Sequence, residues 1–362
     1  MQITISQVDL LRELTILAAV IDRKVTIPVL AYCHVQTADD AIIATAPDLS
    51  NTLQTRVAAK LEGEGRALLP VQTLLGLIQR LDGPITIGVD GAGATVSAGG
   101  SLTRIPLAKA EDFPGIKEPE PPAISLPAGA LLSMVHRTRF AMKAMPTKPY
   151  SGARCEIDGT AMRLVALDGY QLAVFTRPGG VAEPGIAFTM AEKSWGALEK
   201  WLGIEDATTE VSVGASADQA WWRTPTRSLA CRLVDAEYPS YARMVPAKAT
   251  ISVSVSVEEC VDTLRRHLIF STAESTKVVF TLSRGELRVV TDTRVGHTED
   301  AIAIDGFDGE AMTVAMNPRY ALNALEAIGG ARALLQLKDT KAIWRPANPE
   351  DQMLALISTM SV

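Results

Sequence analysis

The chain has 362 residues, a formal net charge of −6 and 47% hydrophobic residues. That length exceeds the usual size of one hydrophobic core, so two or three domains are expected. Charged residues interrupt the longest apolar stretches within about 10 residues, which is too short to span a bilayer. The N-terminal sequence MQITISQVDLLRE lacks a basic region followed by an apolar core, so we expect a soluble cytoplasmic protein without a membrane segment.

The cysteines and histidines do not form a recognisable site. The four cysteines are far apart, with no CxxC pair and no histidine at ligand spacing, so we expect buried thiols and neither a disulfide framework nor bound zinc. They are Cys33, Cys155, Cys231 and Cys260. The four histidines are equally scattered. No metal or cofactor is implied.

Similar segments occur three times along the chain. A short apolar strand, an amphipathic helix and an alternating strand follow one another from Ala67, and again from Phe188 and Val314, at intervals of 121 and 126 residues. Apolar residues spaced three and four apart predict the helices. The predicted helical segments are 6–21, 70–81, 127–145, 191–202, 256–271 and 317–328. A repeat at this spacing indicates three copies of one structural unit.

Three aspartates share a position in this repeat. Asp48, Asp168 and Asp292 each follow an apolar strand and begin a turn, at intervals of 120 and 124 residues. Because a catalytic turn is not normally built three times, the pattern favours turn residues whose carboxylates cap local backbone amides.

Two stretches rich in proline and charge separate the repeats. They are residues 111–124 and 237–250, and we interpret them as extended connectors. The remainder of each repeat alternates at period two, which is typical of strands. We therefore predict three α+β domains, each with two helices and roughly eight strands, at residues 1–120, 121–245 and 246–362.

Several motifs combine with this repeat into a family resemblance. In chain order they are KVTIPVLAYCHV, ATAPDLS, DFP, LVALDGYQLAVF, YPSYARMVP and the C-terminal LISTMSV. Their order and spacing resemble the β sliding clamp (β subunit) of bacterial DNA polymerase III over the whole chain. The resemblance implies an α+β fold of three tandem clamp domains, each with two helices packed on antiparallel sheets, and a homodimeric ring.

The resemblance also implies a function without catalysis. Clamps of this family encircle double-stranded DNA and tether replicative and repair DNA polymerases, which confers processivity, and a clamp loader places them on DNA. The charge distribution agrees with this expectation. The six helical segments, extended to residues 24 and 150, carry a net charge of +4, so the remaining residues carry −10. A mildly positive lining attracts phosphates without reading sequence.

Candidate DNA-binding residues concentrate in one segment. Residues 127–150 contain four basic and no acidic residues, namely Arg137, Arg139, Lys143 and Lys148. By resemblance, Lys24 lies on a loop that touches DNA in the family. Lys148 and Pro149 occupy positions where family members often carry DNA-contacting aromatics. The change to Lys-Pro argues against base stacking there and leaves room for a phosphate contact. Weaker candidates are Arg12, Arg23, Arg80, Lys193, Lys200, Arg265, Arg266 and Arg319.

The resemblance further implies a pocket for short linear peptides of partner proteins, between the second and third domains. Its residues here would be Tyr150, Leu167, Gly169, Tyr170, Gln171, Leu172, Pro239, Met244, Leu356, Ser358, Thr359 and Met360. Leu167 replaces a typical threonine, Tyr170-Gln171 replaces His-Arg, and Ser358-Thr359-Met360 replaces Met-Pro-Met. We therefore expect altered peptide preference.

Dimerisation in the family pairs an edge of the first domain with the third domain of the other subunit. The corresponding residues are Thr103, Ile105, Ile269 and Phe270.

Two alternatives stay open at this stage. One is an enzyme that uses Asp168, Tyr170 and His297 in an interdomain cleft, with His297 and Asp300 as an acid/base pair. The other is a divergent paralogous clamp that serves a specialised polymerase or acts as a backup.

Overall fold

The computed structural model describes residues 1–21, 27–91, 93–108, 124–143, 151–179, 185–272, 276–307 and 310–362. They form two compact units. The first comprises residues 1–132 and 193–234, and the second comprises residues 133–192 and 235–362. The middle third of the chain thus contributes to both units.

All six predicted helical segments are helical. The helices are α1 (Gln7–Val20), α2 (Val71–Ile78), α3 (Ala128–Thr138), α4 (Glu192–Leu202), α5 (Val257–Ile269) and α6 (Pro318–Ile328). Leu10, Leu14 and Leu17 lie three and four residues apart and are buried on one face of α1. Helix α3 ends before the predicted residue 145, and a 3-10 turn at Arg139–Ala141 follows it.

The starts of α5 and α6 are set by capping side chains. The Ser256 hydroxyl accepts a hydrogen bond from the amide of Glu259. The Asn317 side chain accepts one from the amide of Arg319, and Pro318 occupies the first helical position. Both arrangements satisfy amides that have no partner within the helix.

The predicted abundance of strands is confirmed. Within the described ranges the first third contains β1 (Gln2–Ile5), β2 (Tyr32–Ala38), β3 (Ala41–Pro47), β4 (Asn51–Ala58), β5 (Lys60–Glu62), β6 (Arg66–Pro70), β7 (Ile85–Asp90), β8 (Gly93–Ala98) and β9 (Ser101–Ile105). The middle third contains β10 (Ile124–Pro127), β11 (Ala153–Ile157), β12 (Ala161–Leu167), β13 (Gln171–Pro178), β14 (Ile186–Met190), β15 (Glu210–Ala215), β16 (Gln219–Arg223) and β17 (Arg227–Arg232). The last third contains β18 (Ile251–Ser256), β19 (Val278–Ser283), β20 (Glu286–Thr293), β21 (Gly296–Asp305), β22 (Met312–Met316), β23 (Arg332–Lys338), β24 (Lys341–Pro346) and β25 (Met353–Ser358).

Antiparallel pairing joins these strands into three sheets. The first unit holds a sheet of order β5-β1-β7-β8-β9 and another of order β10-β15-β16-β17-β4-β3-β2-β6. The second unit holds a twelve-stranded sheet of order β14-β11-β12-β13-β25-β24-β23-β18-β21-β20-β19-β22. Strands of the middle third therefore extend the sheets of both neighbours, at the β17–β4 and β13–β25 pairs.

The capping role predicted for the repeated aspartates is confirmed in the first two copies. The Asp168 carboxylate accepts hydrogen bonds from the backbone amides two and three residues further along, at 2.9 and 2.8 Å. Asp48 makes the same two contacts in its own turn. Each aspartate also forms an ion pair with a lysine, Asp168 with Lys143 and Asp48 with Lys193.

The prediction for the third copy is wrong by one residue. The Asp292 side chain is 78% exposed, and the residue lies within β20. The turn begins at Thr293, whose hydroxyl accepts a hydrogen bond from the amide of Val295 at 3.2 Å. The spacing of 124 residues aligned the aspartates, but the strand register places the turn one position later.

These turns make a prediction about stability. Replacing Asp48 or Asp168 with alanine leaves amides without their acceptor, which is expected to lower the free energy of unfolding by about 1 to 2 kcal/mol. Replacing Asp292 with alanine is expected to cost less than about 0.5 kcal/mol, as is usual for an exposed side chain. Urea unfolding of the three variants compares them directly, and an equal loss for Asp292→Ala would contradict this assignment.

A charged network lies inside the first unit. The Arg227 guanidinium donates to Glu13 Oε2 at 2.8 Å and to Glu205 Oε1 at 2.6 Å. The Thr55 hydroxyl donates to Glu13 at 2.6 Å. Burial raises the pKa of Glu13, but the hydrogen bonds from Arg227 and Thr55 outweigh it and the pKa lies below its ordinary value. The network ties α1 to β4 and β17.

The connector at residues 237–250 is less extended than predicted. A 3-10 turn forms at Tyr241–Met244. The Tyr238 ring is buried, and its hydroxyl donates to the carbonyl of Val165 at 3.0 Å. The connector thus packs against the twelve-stranded sheet. The other predicted connector lies outside the described residues except for Ile124, which begins β10.

All four cysteines are buried and unpaired, as predicted. Burial raises the pKa of the Cys33 thiol to about 12. The part of the chain that the structure describes contains no helix with the length and apolar character needed to cross a bilayer. Over the same residues, no group of three or more His, Cys, Asp or Glu side chains is arranged to hold a metal ion.

Candidate functional site

A cleft of about 400 Å³ opens in the second unit. Nine of the twelve residues predicted for the peptide pocket line it. They are Leu167, Gly169, Tyr170, Gln171, Leu172, Pro239, Met244, Leu356 and Ser358. The tenth lining residue is Lys341, which the sequence did not indicate. We call this the partner cleft.

The register of the sheet positions the floor of the partner cleft. Leu172 of β13 pairs with Leu167 of β12 on one side and with Leu356 of β25 on the other. Leu356 pairs in turn with Ile343 of β24. Directly paired residues point to the same face of a sheet, so these four buried side chains form one apolar surface. Tyr238 packs on the same cluster.

The turn between β12 and β13 shapes one wall. Gly169 adopts φ of 90°, a left-handed conformation that strains residues with a Cβ atom. Tyr170 follows it with 61% of its surface exposed and stacks on Tyr320, with ring centroids 6.3 Å apart. Lys143 Nζ lies 3.1 Å from Asp168 Oδ2 and 5.7 Å from the Tyr320 ring centroid. The hydrogen bond to Asp168 raises the pKa of Lys143.

Gln171, which lines the partner cleft, has a buried side-chain acceptor without a partner in the part of the chain that the structure describes. Its Nε2 donates to Asp168 Oδ2 at 3.0 Å, and its buried Oε1 has no hydrogen-bond partner among the described residues. Asn51 occupies the corresponding position of the first turn, where its Oδ1 accepts from the Ser194 hydroxyl at 2.6 Å. Tyr320 stands 126 positions after Ser194 in the repeat. The Tyr320 hydroxyl does not hydrogen-bond Gln171 Oε1, so the second turn lacks the contact that satisfies the side-chain oxygen in the first.

Lys341 fixes the opposite wall. Its Nζ donates to the Met244 carbonyl at 2.6 Å, which holds the connector against β24. Nothing in the local sequence indicated this role, because the partner carbonyl lies 97 residues away.

The C-terminal residues of the predicted pocket lie elsewhere. Thr359 and Met360 are not among the lining residues of the partner cleft. The Thr359 amide donates to the Thr340 carbonyl at 2.9 Å, and the Met360 amide donates to Ala315 at 2.7 Å. These bonds direct the tail along β22. Tyr150 lies outside the described residues.

The basic residues predicted for DNA contact in segment 127–150 have protein partners. Arg137 donates to both oxygens of Asp351 at 2.8 Å, and only 16% of its side chain is exposed. Arg139 pairs with Glu192, and Lys143 with Asp168. Their positive charges are therefore compensated, which the absence of acidic residues within the segment did not reveal. Lys148 and Pro149, together with Arg23 and Lys24, lie outside the described residues.

Three of the weaker candidates carry positive charges that no carboxylate of the described ranges compensates, unlike the paired cations of segment 127–150. Arg80 follows α2, Lys200 lies on α4 and Arg319 lies on α6, and all three are exposed. Among the described residues, none of the three has a carboxylate within the 4.0 Å of an ion pair. They retain the uncompensated charge that a phosphate contact needs.

The predicted dimer residues fall on two elements. Thr103 and Ile105 belong to β9, the outer strand of the five-stranded sheet. Ile105 is 3% exposed, so its side chain belongs to its own core, whereas Leu102 is 74% exposed. Ile269 ends α5 with 73% of its surface exposed, and Phe270 is half-buried. Leu102 and Ile269 are thus exposed apolar side chains on these two elements, and the interface role of Thr103, Ile105, Ile269 and Phe270 stays a prediction.

The His297–Asp300 pair of the enzymatic alternative does not form in the structure. The two residues are three positions apart on β21, so their side chains point to opposite faces. Asp300 Oδ2 lies 3.1 Å from Nε2 of the buried His267. His297 is exposed and lies 3.7 Å from Glu299.

Comparison with known proteins places the whole chain in one family. Models of the N-terminal, central and C-terminal domains of the DNA polymerase III beta subunit match residues 1–117, 125–240 and 242–359. The "Beta sliding clamp" of Synechococcus elongatus is 26% identical over 350 residues, covering 93% of this chain and 92% of the relative. That of Haemophilus influenzae is 25% identical over 358 residues and covers 97% of both chains.

Solved structures share the fold over the full chain. The DNA polymerase III beta subunit of Thermotoga maritima superposes with a TM-score of 0.92 at 23% identity, covering 100% of this chain and 99% of that one. A sliding clamp of Pseudomonas aeruginosa bound to griselimycin also gives a TM-score of 0.92, at 24% identity and 100% coverage of both chains. Since the three domain models follow one another along nearly all 362 residues, this chain belongs to the DNA polymerase III beta subunit family and consists of three tandem α+β clamp domains.

Proposed function

We propose that this chain is a DNA sliding clamp. Two copies join head to tail into a ring that encircles duplex DNA in the cytoplasm, and the ring tethers a DNA polymerase so that it does not dissociate between nucleotides. The observation that carries the proposal is the match of all three clamp domains, in order, over nearly the whole chain. The chain itself performs no chemistry in this proposal, and a clamp loader places it on DNA.

The DNA contacts are electrostatic and independent of sequence. The exposed, uncompensated cations Arg80, Lys200 and Arg319 on or beside helices attract phosphates. Contacts of this kind hold the duplex without fixing its register, which permits sliding. The net charge of −6 for the whole chain discourages binding of DNA elsewhere on the surface.

The cation assignment predicts the salt dependence of DNA binding. Replacing Arg80, Lys200 and Arg319 with glutamine is expected to weaken duplex binding equally for unrelated sequences. The slope of log K against log salt concentration is also expected to become less negative, by about 0.9 for each phosphate that the variant no longer neutralises. Arg137→Gln is the matched control, since that arginine is already paired with Asp351. An unchanged slope for the triple variant, or a change as large for the control, would contradict the assignment.

The partner cleft receives short peptides of polymerases and repair proteins. Its floor is apolar, its volume of about 400 Å³ accommodates a few apolar side chains, and Tyr170 and Lys341 provide polar groups at its edges. Such clefts gain affinity from buried apolar anchors and direction from polar contacts.

Ring closure uses the outer strand β9 and the end of α5. Pairing the free edge of β9 with a second subunit would satisfy its unpaired backbone groups. The exposed Leu102 and Ile269 side chains would be buried in the same contact. A twofold dimer is the commonest symmetry for such assemblies.

A topological experiment tests the function. The chain is loaded onto a nicked circular plasmid and the mixture is passed through a gel-filtration column. We expect it to co-elute with the circle and to be released when a restriction enzyme linearises the plasmid. Light scattering of the free protein should give twice the chain mass of 38.7 kDa. Equal retention on circular and linear DNA would exclude encirclement.

A further inference from the structure

A second cleft, of about 450 Å³, opens on the same face of the twelve-stranded sheet as the partner cleft. Leu172 and Leu356 form one cross-strand pair, and Val174 and Leu354 form the pair two residues along. Since side chains alternate along a strand, both pairs point to one face. Val174 and Leu354 line the second cleft. Leu354 also belongs to the apolar cluster beneath the partner cleft, and Val174 packs against that cluster. The two clefts therefore share a continuous apolar floor.

Arg345 gives the second cleft an uncompensated positive charge. Arg345 is half-buried, and its Nε donates to the neutral Gln336 Oε1 at 3.3 Å. Among the described residues it has no carboxylate within the 4.0 Å of an ion pair. Asp351 also lines the cleft, but both of its oxygens accept hydrogen bonds from Arg137. Burial lowers the pKa of Arg345, and no acidic neighbour offsets that effect.

We propose that this second cleft binds an acidic segment of a partner protein, with a carboxylate of that segment paired to the Arg345 guanidinium. A planar guanidinium matches a carboxylate in a two-pronged hydrogen bond, and partial burial makes such a pair stronger than one in open water. Thr176 and Gln352 at the rim supply further polar groups. A segment that combines an acidic residue with apolar side chains fits the charge and the floor of the cleft.

The acidic segment lies in the same polypeptide as the peptide that docks in the partner cleft, and in this respect the inference rests on the proposed function. Ser358 lines the partner cleft and Gln352 lines the second one, six positions apart along the chain. At a rise of about 3.3 Å per residue this corresponds to about 20 Å. An extended linker of about ten residues covers that distance.

The first experiment examines the second cleft alone. Asn348 lines the cleft and is exposed, and the four native cysteines are buried, so Asn348→Cys can be labelled selectively with an environment-sensitive fluorophore. The labelled protein is titrated with an octapeptide of aspartate, glutamate and leucine, and with its asparagine and glutamine counterpart. We expect the acidic peptide to bind about tenfold more tightly, because a hydrogen bond between two charged groups is stronger than one to a neutral amide.

Two variants of the labelled protein assign this preference. Arg345→Gln is expected to abolish it. Arg177→Gln removes the same charge from the residue after Thr176, which points to the other face of β13, and it is expected to leave the preference intact. Equal binding of the two octapeptides, or an equal loss in both variants, would overturn the proposal.

The second experiment links the two clefts. A fluorescein-labelled peptide carries leucine and phenylalanine anchors. A ten-residue Gly/Ser linker joins it to the acidic octapeptide or to the amide octapeptide, and each extension is made once at the N-terminus and once at the C-terminus. We expect the acidic extension at one end to tighten binding about tenfold, and Arg345→Gln to remove that gain. If the anchor peptide without extension does not bind, the proposed function of the partner cleft fails. The octapeptide titration then still decides the second cleft.

Discussion

Replacing Arg227 with methionine is expected to lower the free energy of unfolding by about 3 to 5 kcal/mol, which is the typical cost of removing one partner of a buried ion pair. The variant leaves Glu13 and Glu205 with side chains that are 3% and 8% exposed and without their shared cation. The remaining partners compensate only in part. Glu13 keeps the Thr55 hydroxyl and Arg12, whose side chain is 43% exposed and whose ion pair is therefore weakened by water. Glu205 keeps a hydrogen bond from the Trp201 indole, which carries no charge.

Matched variants separate this effect from a general loss of charge. Arg223→Met on β16 removes an exposed arginine that has no ion-pair partner among the described residues, and it is expected to cost less than about 0.5 kcal/mol. Adding Glu13→Gln and Glu205→Gln to Arg227→Met should recover part of the loss, because neutral side chains are less costly to bury. Similar urea midpoints for Arg227→Met and Arg223→Met would contradict the network.

The same network has a defined pH dependence. The folded state holds the pKa of Glu13 below its ordinary value of 4.5. The contribution of Glu13 is therefore complete above that value and is lost as the pH falls through the lower, folded-state pKa. In Arg227→Met the buried Glu13 carboxylate keeps only the partly exposed Arg12 as a cation, so burying Glu13 becomes less costly once it is protonated. The difference in stability between the two proteins should therefore shrink below about pH 4.5.

Replacing Met244 with glutamate is expected to weaken the binding of an apolar anchor peptide to the partner cleft by about 100-fold, or about 2.7 kcal/mol. Met244 is half-buried at the wall of the cleft, so the change removes apolar contact and places a carboxylate where peptide side chains would be buried. If the carboxylate turns to Lys341, it occupies the cleft instead. Fluorescence anisotropy with a peptide carrying leucine and phenylalanine anchors measures the loss.

Met360→Glu provides the control for that experiment. It is the same substitution at a residue that the sequence placed in the pocket but that does not line the cleft in the structure. We expect less than a threefold change, because the carboxylate at this 42% exposed position stays in water. A loss as large as that of Met244→Glu would show that the C-terminal tail, and not the connector, forms the wall.

The sequence predicted most of the local structure because the signals were local and repeated. Apolar spacing identified all six helices, and the turn at Asp168 followed from its position between two strands. The partner cleft was largely predictable for the same reason. Two of its walls come from continuous motifs, at residues 164–175 and 238–246, whose spacing carried the family resemblance.

The partners of charged residues could not be predicted, because they come from distant parts of the chain. Arg137 meets Asp351 across 214 positions, so a segment without acidic residues looked uncompensated. Asp300 pairs with His267 rather than with His297, because alternation along β21 separates the two nearer residues. In each case the sheet register, and not the local sequence, determines which charges meet.

Electron cryomicroscopy of the chain loaded on a nicked plasmid would show directly whether it encircles DNA. We expect a closed ring of two subunits and six like domains, with helices facing a central hole that contains the duplex. We also expect no protein density in contact with individual bases, since the contacts are to phosphates. Single subunits bound along the outside of the DNA, or a ring with sheets facing the hole, would contradict it.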